Sequence, residues 1–202
     1  HTYADGPNGY AITVDLVDED GTFLNRANPF SVQVDNVAPS ILITGASNVA
    51  EGSPYSLNLG AVTDPGTDTV TSYIVHWGDG ATSTFGTAGS KSHTYADGPN
   101  NYAITVDLVD EDGTFLNRAN ALSVTVDNVA PSIAISGASS VNEGSPYTLN
   151  LGAVTDPGTD TVTSWLVHWG DGSSDTYGSN GAKTHTYVDG PNNYAITVDL
   201  TD

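Results

Sequence analysis

The sequence predicts an all-β protein built of antiparallel β-sandwiches strung in tandem, and three observations carry that prediction. The phrase HTYADGPNGY at His1 returns as HTYADGPNNY at His93 and HTYVDGPNNY at His185; VDNVAPS, EGSPY, VTDPGTD and WGDG recur at the same spacing of 92 residues, without insertion or deletion. Apolar and polar residues alternate at period two, and no segment has the period of a helix. Gly, Pro, Asp and Asn gather in short phrases between the alternating runs, where turns need them. A 92-residue unit is long enough to bury its own core, whereas repeats of roughly 20–50 residues would predict a solenoid.

The elements of one copy follow in chain order. PYSLNLGAV (Pro54 to Val62) and SYIVHW (Ser72 to Trp77) alternate and read as half-buried strands, separated by DPGTD. Ala81 to Ser92 reads as an outer strand and loop, because most of the freer exchanges between copies fall there. YAITVDLVD (Tyr102 to Asp110) and ALSVTVD (Ala121 to Asp127) complete the set, with DEDG between them. Short strands rich in Thr and Val, with turn signals every ten residues or so, predict two packed antiparallel sheets. Exchanges such as Tyr73 for Trp165, Ile74 for Leu166 and Phe85 for Tyr177 keep size where burial is expected.

The linker sets the phase of the repeats. DNVAP (Asp35 to Pro39, Asp127 to Pro131) follows one strand and precedes another, holds a stiff proline and has no Gly/Ser run, so it is a short junction and not a tether. This predicts three parts: residues 1–36 as the last three strands of a preceding repeat, 37–128 as a complete repeat, and 129–202 as a repeat without its last strand. The sequence thus reads as a window on a longer array.

Composition excludes several functions. Twenty-four acidic residues against four basic ones give a formal charge of −20, opposed to nucleic acid and to anionic membrane surfaces, both of which require clustered Lys and Arg. No run is long and apolar enough for membrane insertion. Cysteine is absent, so disulfides say nothing of the compartment. There is no nucleophile phrase, HExxH or phosphate loop, and the chain reads as non-catalytic. In WGDG (Trp77, Trp169) the tryptophans read as core anchors and the Asp as the cap of a hairpin turn. His93 and Tyr95, with their copies, read as a brace at a strand end.

The run YIVHWGDGATSTFG, followed by KSHTYADGPNNYAITVDLVDEDG, resembles the PKD domain: an aromatic before GDG, then HTY, a Gly-containing turn, and a Y-x-V-x-L-like strand ending in Asp. The turn after HTY is longer here than the usual PGxY. The resemblance implies an immunoglobulin-like sandwich in an extracellular, multidomain protein, and calcium held by linker, BC-loop and FG-loop ligands as in some secreted bacterial enzymes. VDNVAP also looks like the calcium-stiffened junction of cadherins.

Under an immunoglobulin-like strand order, DPGTD (Asp64, Asp68; Asp156, Asp160), DEDG (Asp110, Glu111, Asp112) and the linkers (Asp35, Asn36; Asp127, Asn128) gather at one pole. Glu51 and Glu143 then face the following linker. So many hard oxygen donors suit Ca²⁺, which takes six to eight of them. The expected function is a structural spacer: a calcium-stiffened stalk or fibre of a bacterial surface adhesin, whose partners are neighbouring repeats and, beyond them, other surface proteins or glycans. The alternative is an accessory module gripping polysaccharide or protein through Tyr10, Tyr102, Tyr194 and Phe115.

Overall fold

The computed structural model describes all 202 residues, His1–Asp202, and every regular element in it is a β-strand. The leading segment holds β1 (Asn8–Ile12), β2 (Leu16–Asp18), β3 (Gly21–Phe23) and β4 (Phe30–Val34). The next nine are β5 (Ser40–Gly45), β6 (Asn48–Ala50), β7 (Pro54–Thr63), β8 (Ser72–His76), β9 (Thr82–Phe85), β10 (Gly89–Thr94), β11 (Asn100–Val109), β12 (Thr114–Phe115) and β13 (Leu122–Asp127). The last six are β14 (Ser132–Gly137), β15 (Pro146–Thr155), β16 (Ser164–His168), β17 (Ser174–Tyr177), β18 (Gly181–Thr186) and β19 (Thr197–Thr201).

The sheets run β10-β7-β5 and β6-β13-β11-β8-β9, with β12 beside β11, and again β14-β15-β18 and β17-β16-β19. Paired sheets of this kind form immunoglobulin-like sandwiches, with alternate residues of each strand facing inward. Along β7, Tyr55, Leu57 and Leu59 are buried while Ser56 and Asn58 are exposed; along β8, Tyr73 and Val75 are buried. Trp77 and Trp169 have no exposed surface. Ala81 to Ser92 differs from the single outer strand expected. Only β9 lies outside, against β8, while β10 crosses to the opposite sheet beside β7. Its polar SKSHT sequence hides that role, because no apolar alternation marks the strand.

The chain divides into two compact units: His1–Ser47, Tyr55–His93 and Asn101–Val124 in one, Asn48–Pro54, Thr94–Asn100 and Thr125–Asp202 in the other. In the first unit the buried residues include Ile43, Leu57, Leu59, Val75, Trp77, Ile104, Val106, Leu108 and Val124. In its leading segment the positions in register with Ile104 and Leu108, namely Ile12 and Leu16, are exposed. The core of the second unit is Leu149, Leu151, Trp165, Val167, Trp169 and Tyr187.

One clamp recurs inside each unit. The WGDG turn needs glycine at both ends, with φ of 92° and 94° at Gly78 and Gly80 and 85° and 93° at Gly170 and Gly172. The Ala81 N–H donates to Asp79 Oδ1 at 2.9 Å, and Asp79 Oδ2 meets His93 Nε2 at 2.7 Å. The His93 ring stacks on Trp77, 4.6 Å away and 9° from parallel. In the second unit Asp171 Oδ1 accepts from the Ser173 N–H and hydroxyl, Asp171 Oδ2 meets His185 Nε2 at 2.7 Å, and His185 stacks on Trp169. The Tyr187 hydroxyl donates to the Trp169 carbonyl at 3.0 Å. The conserved-looking HTY and WGDG phrases are therefore two halves of one polar clamp across the core Trp.

The clamp contributes to the acid limb of stability. The hydrogen bonds from Ser173 and the His185 ring hold Asp171 below its ordinary 3.8, to about 2. At Asp79 burial pushes upward, but the Ala81 amide and His93 outweigh it and the group ends below its usual value. A carboxylate lowered on folding stabilises the fold above its unfolded pKa, and that contribution disappears as pH falls toward the folded one. Asp171→Asn is expected to melt lower at pH 7 and to show a smaller loss of melting temperature between pH 4 and about 2 than the parent chain. In the core, Leu151→Ala, at a position only 1% exposed, is expected to cost about 3 kcal/mol in denaturant unfolding.

Candidate functional site

Asp residues turn the two acidic loops and leave oxygens over. The Gly66 N–H donates to Asp64 Oδ1 and the Gly158 N–H to Asp156 Oδ1, each at 3.0 Å, the local closure that makes Asp a turn residue. Asp110 Oδ1 accepts from the N–H groups of Asp112 (2.9 Å) and Gly113 (3.2 Å). The Oδ2 atoms of Asp64, Asp110, Asp156 and Asp160 are buried with no hydrogen-bond partner. Asp110 as a whole is only 7% exposed. Removing a carboxylate oxygen from water without donor or cation is costly.

These loops meet the DGPN loop of the copy before them. In the first unit Asp5, Asp68 and Asp112 bring one oxygen each within 4.8 Å of one another, and the Thr67 N–H donates to the Ala4 carbonyl at 3.0 Å. In the second unit Glu51, Asp97 and Asp160 form a group in which Asp97 and Asp160 stand where Asp5 and Asp68 do in the first, and Asp156, Asp160 and Asp202 form a further one. The Thr159 N–H bonds the Ala96 carbonyl at 3.0 Å, in the same register as Thr67 and Ala4.

Glu51 fixes the second of these sites. It has no exposed surface. Its Oε2 accepts from the Gly98 N–H at 2.6 Å and its Oε1 from the Val129 N–H at 2.8 Å, so one side chain ties the EGSP turn, the DGPN loop and the linker together. A Cβ on Gly158 would stand 2.6 Å from the Glu51 carboxyl carbon. Only glycine lets the DPGTD loop come this close.

The electrostatics are one-sided. Loss of solvent, then the Asp5, Asp64 and Asp112 carboxyls, push Asp68 up to about 6. Asp112 is raised by loss of solvent and by Asp110, and Asp160 by loss of solvent and by Asp97, Glu51 and Asp156. No Lys or Arg offsets them, since all the ion pairs in the chain join His to Asp. Arg118 donates to the Pro39 and Ala38 carbonyls, and Lys91 and Lys183 lie over the rings of Phe85 and Tyr177.

The structure sorts the expected ligands. Asp68, Asp112, Asp160, Asp156 and Glu51 stand in carboxylate groups, with Asp64 and Asp110 beside them. Glu111 instead accepts from the Thr69 N–H, Glu143 is exposed and accepts from the Gly190 N–H, and Asp127 accepts from the Asn48 side chain. Asp35 and Asn128 are exposed and Asn36 half-buried, and neither Asp35 nor Asp127 belongs to a carboxylate group. The acids that complete the groups are Asp5, Asp97 and Asp202, of which the first two lie in the DGPN phrase. The available signal was an Asp in every copy of that phrase. The aromatics considered for glycan binding are packed: Tyr10 stacks on Tyr3 and Tyr194 on Tyr187, while Tyr102 and Phe115 are half-buried.

Comparison with known proteins adds the family. No curated protein matches the chain. Among solved structures the chain is similar to the fibronectin(III)-like modules of Clostridium thermocellum CbhA, with 15% identity and a TM-score of 0.33 over 78% of this chain and 90% of that one. The family model of the PKD domain matches residues 36–126. PKD domains are generally non-catalytic structural or accessory modules and typically occur in extracellular proteins. Residues 36–126 thus match the PKD domain, and the chain repeats the same phrases on either side of that span.

Proposed function

We propose that this chain is a structural spacer, a run of PKD repeats in the extracellular stalk or fibre of a bacterial surface adhesin, with Ca²⁺ stiffening the places where one copy meets the next. The observation that carries this reading is the set of buried carboxylate oxygens without partners, Oδ2 of Asp64, Asp110, Asp156 and Asp160, at the loops that face the preceding copy. Hydrogen-bonded turns would not need them. A hard divalent cation would, and Ca²⁺ tolerates the irregular geometry of loop carboxylates and carbonyls.

The residues present fit such an ion. Asp5, Asp64, Asp68, Asp110 and Asp112 would hold it in the first unit, and Glu51, Asp97, Asp156, Asp160 and Asp202 in the second. The bound cation would supply positive charge and fix the loops against one another. The protein's part is to hold the acids together before the ion arrives, through the Glu51 bonds and the Thr67–Ala4 and Thr159–Ala96 contacts. Short prolyl linkers and a large negative charge also suit a spacer held away from a surface.

Thermal unfolding in millimolar Ca²⁺, Mg²⁺ or EDTA tests the reading. A ligand that binds only the folded state contributes roughly 2.7 kcal/mol at a hundredfold excess over Kd, so Ca²⁺ is expected to raise the melting temperature by several degrees, and Mg²⁺ by clearly less. Small-angle scattering of the same chain is expected to show a longer maximum dimension with Ca²⁺ than with chelator. Equal melting and equal scattering in all three conditions would sink the calcium-stiffened spacer.

A further inference from the structure

We infer that each meeting of two copies takes a pair of Ca²⁺ ions, bridged by the last acid of DPGTD, Asp68 in the first unit and Asp160 in the second. The inference rests on the calcium reading above and goes beyond it in number, ligands and division of labour. It starts from the second unit, where the five acids fall into two sets. Glu51, Asp97 and Asp160 lie within 4.8 Å of one another, and so do Asp156, Asp160 and Asp202. Asp160 alone belongs to both. Ca²⁺ binds oxygen at about 2.3–2.6 Å, so the oxygens on one ion are at most about 5 Å apart. Each set matches that span.

A second observation points to ligands in the inner set. In the first unit the equivalents of Asp156 and Asp202 are Asp64 and Asp110. Asp110 is only 7% exposed, its Oδ1 is bound by two amides, and its buried Oδ2 has no partner. Asp64 Oδ2 is buried and unpartnered as well. On the outer side of the same loop, Asp68 groups with Asp5 and Asp112. In both units DPGTD therefore carries buried unpartnered oxygens, and its last acid groups with the Asp of the DGPN loop.

Charge decides between one ion and two. Five carboxylates carry −5, with no Lys or Arg paired to any of them. One Ca²⁺ would leave −3 in a partly dry site; two leave −1. Paired metal ions stand roughly 3.5–4 Å apart in two-metal sites, a separation that one carboxylate can span with an oxygen on each ion. Glu51 keeps ligand capacity despite its two amide bonds, because each carboxylate oxygen has a second lone pair.

The two positions then do different work. The inner ion is held by loops of a single copy, DPGTD and DEDG, and orders them whether or not a neighbour is present. The outer ion has ligands from two copies, Asp5 with Asp68 and Asp112, or Glu51 and Asp97 with Asp160. It alone joins the copies.

Native mass spectrometry of the full chain, with Ca²⁺ bound in the presence of excess Mg²⁺ and about 0.15 M salt, counts the ions. Four per chain is the expected result. A count of two would overturn the paired site while leaving the calcium reading intact, and zero would overturn both. Asp97→Asn, which touches only the outer position, is expected to lose one ion. Asp160→Asn is expected to lose two, because its carboxylate serves both positions, and a loss of one would refute the bridge. Circular dichroism of each variant checks the fold, and Glu111→Gln, at an acid outside both sets, is expected to keep all four ions.

Discussion

The second unit depends on a buried carboxylate that accepts two main-chain amides. Glu51 reaches from its own turn to the N–H groups of Gly98 and Val129, and three segments remote in sequence become one piece. Main-chain bonds join the same segments, β6 pairing with β13 and the Gly52 N–H donating to the Tyr95 carbonyl, so Asn48–Pro54 and Thr94–Asn100 group with Thr125–Asp202. Two charge-assisted hydrogen bonds offset only part of the cost of burying a charge. The negative charge itself remains, within reach of Asp97 and Asp160.

That residue of uncompensated charge makes the site more than a set of turns. Bringing these carboxylates together costs repulsion that the usual small margin of stability must absorb, and the cation proposed above would offset it. At Gly158 any side chain would require the Glu51 carboxyl, held by two amides, to shift. Loops that merely faced solvent would tolerate a larger residue and would leave their carboxylates free to swing apart.

Most of the fold was legible in the sequence because its signals are local. Period-two alternation located β7, β8, β11 and β13 to within a residue or two, and WGDG announced both its turn and its core Trp. Strand β10 escaped, since its inward residues are Gly, Lys and His rather than aliphatic. The site was legible in part. DPGTD and DEDG stood out as oxygen-rich turns, but Asp5 and Asp97 looked like ordinary members of a Pro-Asn turn. Their place in the carboxylate groups depends on two loops 63 residues apart in sequence, Asp5 with Asp68 and Asp97 with Asp160. No local pattern encodes that distance. The same is true of His93 and Asp79, which the sequence presents as separate motifs.

The clamp and the carboxylate groups divide the stability of the chain between two kinds of interaction. Each clamp closes entirely on groups within a copy: a His ring on a Trp face, a carboxylate on the His, an amide on the carboxylate. It uses apolar contact and short hydrogen bonds, which salt and chelators barely touch. Two of the carboxylate groups draw on residues of successive copies and the third on a single copy, with no Lys or Arg paired to them, so their negative charge is offset only by what the solvent supplies. Under the proposed reading, each copy folds by its own clamp and core without cation, and the link between copies is where calcium would change the mechanics. On that reading the stiffness of the array would follow the calcium around it, while the clamp and core of each sandwich would not.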